Sequence, residues 1–296
     1  MRVLLRTAIR FLAVAVLYFG CFAVVSGALL ATAAGPPERA DANAALIALL
    51  AGSLLNAAVW TYVILRSNWT GWKLILAVVF VFFGVNTVMP QIETAYFVTR
   101  LPPGMLPRLF LAGLIIAVIF AALAVLILGK ARARSTEGSS SRIAGGALTV
   151  KLLLIVVAYL LLYFTFGYFI AWKNPAVRAY YGGNDPEGFI VHIANLLRTE
   201  PMLFVLQVVR ALLWATLAVP IIKMMKGEWW ESGLAVALLF AVMTSQLLLP
   251  NPLMPAEVRM VHLVETATSN FLFGWLVVLI LRGTGRTRAP RPSVLT

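Results

Sequence analysis

The chain has 296 residues, 61% of them hydrophobic and only 12% charged, with a mean hydropathy of +0.93 and a net charge of +13. A soluble domain has roughly 45–50% apolar and about 25% charged residues, so a water-soluble fold is excluded and lipid must solvate much of the surface. Cys21 is the only cysteine, which excludes an intrachain disulfide and a cysteine-rich metal site.

Apolar runs of about 20 residues, each enough to cross the hydrocarbon core, occur at 11–33, 44–65, 74–90, 108–129, 150–172, 202–222, 233–249 and 262–281. They predict an all-α integral membrane protein of about eight transmembrane helices. Arg2, Arg6 and Arg10 precede the first run, and Ala31-Thr32-Ala33 looks like a cleavage site. A signal peptide's apolar core spans about 7–15 residues. This run is longer, and we read it as an uncleaved first helix. Between the fourth and fifth runs lies a Ser- and Gly-containing stretch typical of a flexible linker. The chain thus divides into a four-helix half at 1–130, a cytoplasmic linker at 131–148, a second four-helix half at 149–282 and a basic tail at 283–296, expected to be disordered.

With the N-terminus inside, sixteen Lys and Arg, among them Arg66, Lys73, Lys130 and Arg282, face the cytoplasm against only Glu137, Glu228 and Glu231. The outer loops balance seven cations with seven carboxylates, and the remaining Arg210 and Glu265 cancel. The whole net charge therefore lies on one face, as the positive-inside rule requires. Both termini are expected in the cytoplasm, with the protein in the cell (inner) membrane. This is no nucleic-acid footprint. The expected partners are membrane lipids and a small-molecule or lipid ligand, while homo-oligomerisation or membership of a larger complex stays open.

The halves share landmarks. Leu17-Tyr18-Phe19-Gly20 parallels Leu162-Tyr163-Phe164-Thr165, Trp60 parallels Trp214, and Leu76-Ala77-Val78 parallels Leu234-Ala235-Val236. Val125-Leu126-Ile127-Leu128 returns as Val278-Leu279-Ile280-Leu281. These predict a parallel internal repeat, related by an axis along the membrane normal. A central site would then lie between the halves.

Arg210 stands mid-way along the sixth run, where a charge costs about 2.5–3.5 kcal/mol on insertion scales. It should face the interior and have a partner. The repeat places Asn56 at its level in the first half. On the eighth run Arg259, His262, Glu265 or Thr266, and Ser269 recur at helical spacing as one polar stripe. Glu265 is the expected partner of Arg210. Their pairing could only lock helices together, or it could serve a ligand or a proton relay.

The candidate substrate-binding set is therefore Arg210, Glu265, His262, Asn56 and Ser269, with no catalytic residue assigned. His262 and His192 lie on different segments without an HExxH motif, so no metal is expected. No cofactor is expected either: P-loop, Rossmann and GxSxG patterns are missing. In the outer loop after the fifth run, Asp185 and Pro186 open an expected amphipathic helix on the membrane surface, either a lid over a cavity or a seal on the bundle. Three functions remain. One is binding or transport of a small or amphipathic substrate through an outward-facing site, Arg210 neutralising an anionic group. Another is intramembrane catalysis on a lipid or lipid-linked substrate, with His262 and Glu265 as acid and base. The last is a structural or sensory subunit.

Overall fold

A computed structural model describes residues 2–34, 39–98, 101–132, 147–251 and 253–282. Most of the expected linker and all of the 283–296 tail lie outside the described residues. The described chain is all-helical, and eight of its segments are long and apolar enough to cross a membrane. The protein is a polytopic membrane protein.

The spans are α1 (Arg2–Ala34), α2 (Arg39–Leu65), α3 with α4 (Gly71–Phe83 and Met89–Phe97), α5 (Met105–Ile127) and α6 (Leu148–Phe166). After two short helices, α7 (Pro175–Tyr181) and α8 (Phe189–Thr199), come α9 (Pro201–Met224), α10 (Trp229–Val242) and α11 (Ala256–Arg282). Large apolar side chains such as Ile47, Leu126, Leu161 and Val205 point outward, whereas Asn56, Asn86, Gln207, Arg210 and Asn270 are buried. That distribution suits lipid as solvent. With no water-driven force between helices, packing and interhelical hydrogen bonds must hold the bundle. Gly274 shows the first of these: a Cβ there would lie 2.6 Å from the Ala237 Cα, so α10 and α11 touch backbone to backbone. Asn270 supplies the second, its Nδ2 donating to the Phe240 carbonyl at 3.2 Å.

α1, α2, α3 and α5 pack around an aromatic cluster, and α6, α9, α10 and α11 around another. In the first, Trp60 stands 5.6 Å from Phe82, Phe82 4.9 Å from Phe120, and Tyr18 5.6 Å from Phe120. In the second, Trp214 stands 4.2 Å from Phe240, Phe240 6.2 Å from Phe273, and Tyr159 4.8 Å from Phe273. Both tryptophans are fully buried. The groups meet where α2 packs on α10 and α3 on α9. At the end rich in Lys and Arg they are also clasped through backbone. Asn68 N–H donates to the Met224 carbonyl at 2.6 Å, and Lys226 N–H to the Arg66 carbonyl at 2.9 Å. Arg66 and Glu231 add an ion pair at 2.5 Å.

Three spans leave α geometry on the way to the opposite end. Gly84–Val88 and Gly167–Trp172 are π-helical, and Met243–Leu248 is a 3₁₀ turn. Pro90 accounts for the first. It offers no N–H to the Asn86 carbonyl and its ring crowds that oxygen, so the helix widens, with Met89 N–H reaching back to Gly84. Gln246 Nε2 donates to the stranded Asn86 carbonyl at 2.9 Å. The third span therefore does not stop near residue 90, as its apolar run suggested, but continues to Phe97.

One local expectation is also corrected, and one short helix is added. Asp185 does not cap α8. The Tyr168 hydroxyl holds the Glu187 carbonyl, and the helix begins only after Gly188. Asp185 is exposed, 3.5 Å from Arg178. Ahead of it, α7 had not been anticipated, although its signals are plain. Asn174 Oδ1 accepts from Ala176 N–H at 2.8 Å, Pro175 fills the first helical position, and Gly182 closes the helix at a φ of 72°.

Candidate ligand cavity

At the end away from the backbone clasp the halves part around a cavity of about 1300 Å³. Asn86, Glu93 and Ile116 wall it from the first half, and Tyr163, Arg210 and Glu265 from the second. All three non-α segments contribute lining residues, including Thr87, Tyr168 and Thr244. Departures from α geometry are frequent at functional sites, because they re-aim side chains and free backbone groups. Tyr168, Tyr180 and Tyr181 add aromatic surface, and His192 and Leu196 of α8 cover one side.

Arg210 is 2% exposed. The expected pairing with Glu265 is not what holds it. Its Nη1 pairs with Glu93 of α4 and donates to Gln207 Oε1 at 2.8 Å, and the Tyr159 ring lies 5.7 Å from its guanidinium carbon. The reason is the continuation past Pro90. A span ending there would leave Glu93 in an outer loop, whereas the widened helix carries it along the cavity wall. The pair is also a link between halves, from α9 to α4.

Glu265 has other partners. His262 Nδ1 lies 3.1 Å from Glu265 Oε2, Thr266 Oγ1 donates to the same oxygen at 3.1 Å, and the Tyr181 hydroxyl is 3.3 Å from His262 Nε2. Burial, then the neighbouring Tyr180, Glu93 and Glu265, push the Tyr181 phenol upward, so it stays protonated. With Nδ1–H donating to Glu265, Nε2 is placed to accept from the Tyr181 hydroxyl. No family model, curated protein or solved structure matches this chain. Any function must be read from these contacts alone.

Of the five expected site residues, Arg210, Glu265, His262 and Ser269 line the cavity. Asn56 does not. It is fully buried between α2 and the 3₁₀ turn, where its Nδ2 donates to Ser245 Oγ and the Gly52 carbonyl, both at 2.9 Å. Arg259 leaves the polar stripe as well, turning back to the carbonyls of Leu247, Leu248 and Leu249. That collar satisfies acceptors at the end of the 3₁₀ turn, where Leu249 turns extended ahead of Pro250. His192 stands 5.3 Å from both the Tyr168 and the Trp172 rings. Burial holds its imidazole below the ordinary value against the raising effect of Glu187.

Glu93, Gln207 and Tyr181 were missed. Gln207 stands three residues before Arg210, on the same helical face, and spacing alone could have found it. Glu93 and Tyr181 reach the site only through tertiary structure.

Proposed function

We propose that this protein binds an amphipathic small molecule in the cavity between its halves and passes it to or from the face opposite the basic end. The observation that carries this reading is the cavity itself, with buried charged groups on its wall at membrane depth. Its volume exceeds the roughly 300–1,000 Å³ of ordinary ligand pockets, leaving room for a polar head and an apolar body. In this reading the basic end is cytoplasmic, the protein lies in the cell membrane, and the cavity faces outward. The charge asymmetry supports that orientation.

The parallel repeat belongs to the same reading. It is supported by the matched aromatic clusters and by contacts that exchange under a two-fold rotation, α2 on α10 against α3 on α9. Tyr18 then corresponds to Tyr159, not to Tyr163 as the local sequence match suggested. The α8 helix keeps Ile190, Val191 and Leu197 exposed while His192, Ile193 and Leu196 face the cavity. An amphipathic cover embedded in the outer interface fits that division.

Native mass spectrometry of the purified protein tests the proposal. A bound small molecule or lipid in the wild type, lost in Glu265→Gln or Arg210→Gln, is expected. Identical spectra from all three proteins, with the variants merely less stable, would leave only the structural-subunit reading.

The Tyr181–His262–Glu265 chain favours one alternative, acid–base chemistry on a lipid or lipid-linked substrate, because a carboxylate-oriented imidazole facing a cavity can accept a proton. Turnover of a membrane lipid, abolished by His262→Ala in a folded protein, would select it.

A further inference from the structure

The charges on the cavity wall are unbalanced, and this bears on the class of ligand, given that the cavity is a ligand site. Among the described lining residues there are three carboxylates, Glu93, Glu200 and Glu265, against the single guanidinium of Arg210. Arg210 is already engaged by Glu93 and Gln207. Among the described residues, three neighbouring cations are turned elsewhere. Arg259 is held by three backbone carbonyls, and Arg178 donates to the carbonyls of Trp172 and Lys173, both at 2.9 Å. Lys173 sits 5.1 Å from the Phe169 ring, off the cavity wall.

Glu265 is thus a carboxylate only 7% exposed, with a threonine hydroxyl and an imidazole as its partners, and among the described residues no Arg or Lys forms an ion pair with it. An ionised carboxylate removed from water is costly unless a positive charge is supplied. An anionic ligand would worsen the imbalance and would have to displace Glu93 from Arg210. A cationic ligand would relieve it. The rest of the wall suits such a ligand, since Tyr163, Phe164 and Tyr181 offer aromatic faces and the two tyrosines hydroxyl oxygens. Organic cations are attracted to aromatic faces within about 6 Å, most strongly where both are desolvated.

We infer that the cavity's ligand is an amphipathic organic cation, a lipophilic amine or quaternary ammonium, with its charge seated between Glu265 and the tyrosine-rich wall. The role foreseen for Arg210 is then reversed. It does not receive an anion but neutralises Glu93 and ties α4 to α9, leaving Glu265 as the recognition charge.

Tetraphenylphosphonium and tetraphenylborate provide the test, because they share size and shape and differ in sign. Binding of each to the wild-type protein in detergent is measured by equilibrium dialysis, with partition into protein-free micelles subtracted. Saturable binding of the phosphonium, at least tenfold tighter than the borate, is expected. Equal binding of the two, or preference for the borate, would overturn the inference while leaving a ligand cavity in place. Binding of neither would overturn the cavity reading itself. Glu265→Gln, which keeps an acceptor for His262, should weaken the phosphonium at least tenfold. If the folded variant, checked by size-exclusion profile and thermal midpoint, keeps wild-type affinity, Glu265 is not the seat. Should it fail to fold, the wild-type comparison of signs still decides.

Discussion

The two ends of the bundle join the same halves by different means. At the basic end, backbone groups of Arg66, Asn68, Met224 and Lys226 bond directly across, and the Arg66–Glu231 pair beside them is partly in solvent, Arg66 being 42% exposed. At the opposite end no such clasp is found among the described residues. The halves part around 1300 Å³ of space, bridged at membrane depth by the Arg210–Glu93 pair and the Gln246–Asn86 bond. Backbone bonds fix position whatever the side chains are. Side-chain bridges depend on particular residues and can be exchanged for contacts with a ligand. The contrast teaches where variation should hurt stability and where it should alter binding.

The largest stability effect should follow from breaking the deep bridge from one side. Glu93→Leu leaves a guanidinium uncompensated in the interior, and breaking such a pair typically costs about 3–5 kcal/mol. Glu93 is 30% exposed, so the lower part of that range is expected in a denaturant titration in detergent. The exchanged pair Arg210→Glu with Glu93→Arg should recover most of the loss. If the exchange recovers nothing, the two side chains are not each other's partners.

A smaller loss is expected inside the second half. Gly274→Leu forces a side chain into the Ala237 backbone and should lower stability by about 1–3 kcal/mol, the usual cost of overpacking. Tetraphenylphosphonium affinity, which reads the cavity wall and not the α10–α11 seam, should stay within a factor of about two per folded molecule.

At the clasped end, Arg66→Gln should cost at most about 1 kcal/mol, because a solvent-screened ion pair beside intact backbone bonds contributes little. An effect as large as that of Glu93→Leu would erase the distinction drawn between the ends.

The smallest effect is one of pH. Burial favours the neutral His192 ring in the folded protein, so the folded state holds fewer protons there than the unfolded chain. Stability from this group is complete above an ordinary imidazole value near 6.5 and declines as pH falls from there through the lowered folded value. Thermal midpoints between pH 8 and 5 should show a shallow acid-side drop that His192→Gln flattens.

What could be read in the chain, and what could not, divides along similar lines. The spans were legible because lipid imposes a length and a composition on each one separately. Arg210 was legible because a lone charge in an apolar run needs no neighbour to stand out, and the His262–Glu265–Ser269 face because helical spacing is local. Pro90 misled. It marks the end of an apolar run, and only the packed structure shows the helix widening around it and carrying Glu93 onward to Arg210. Asn56 was expected at the level of Arg210, but which wall it faced depended on the 3₁₀ turn of a distant span. Tyr181 belongs to a helix set by three local signals at Asn174, Pro175 and Gly182, yet its contact with His262 is a matter of tertiary fold.

The bond from Gln246 to the Asn86 carbonyl also bears on how the protein is made. Synthesis runs from the N-terminus, so the third span enters the bilayer before the seventh has been translated. At that moment Pro90 has already stranded a carbonyl in a solvent that offers it no donor. The first half therefore enters the bilayer with an unpaired acceptor, and the second half brings the amide that pairs with it. Folding of the earlier span is completed from outside itself, by a residue the cell has yet to add.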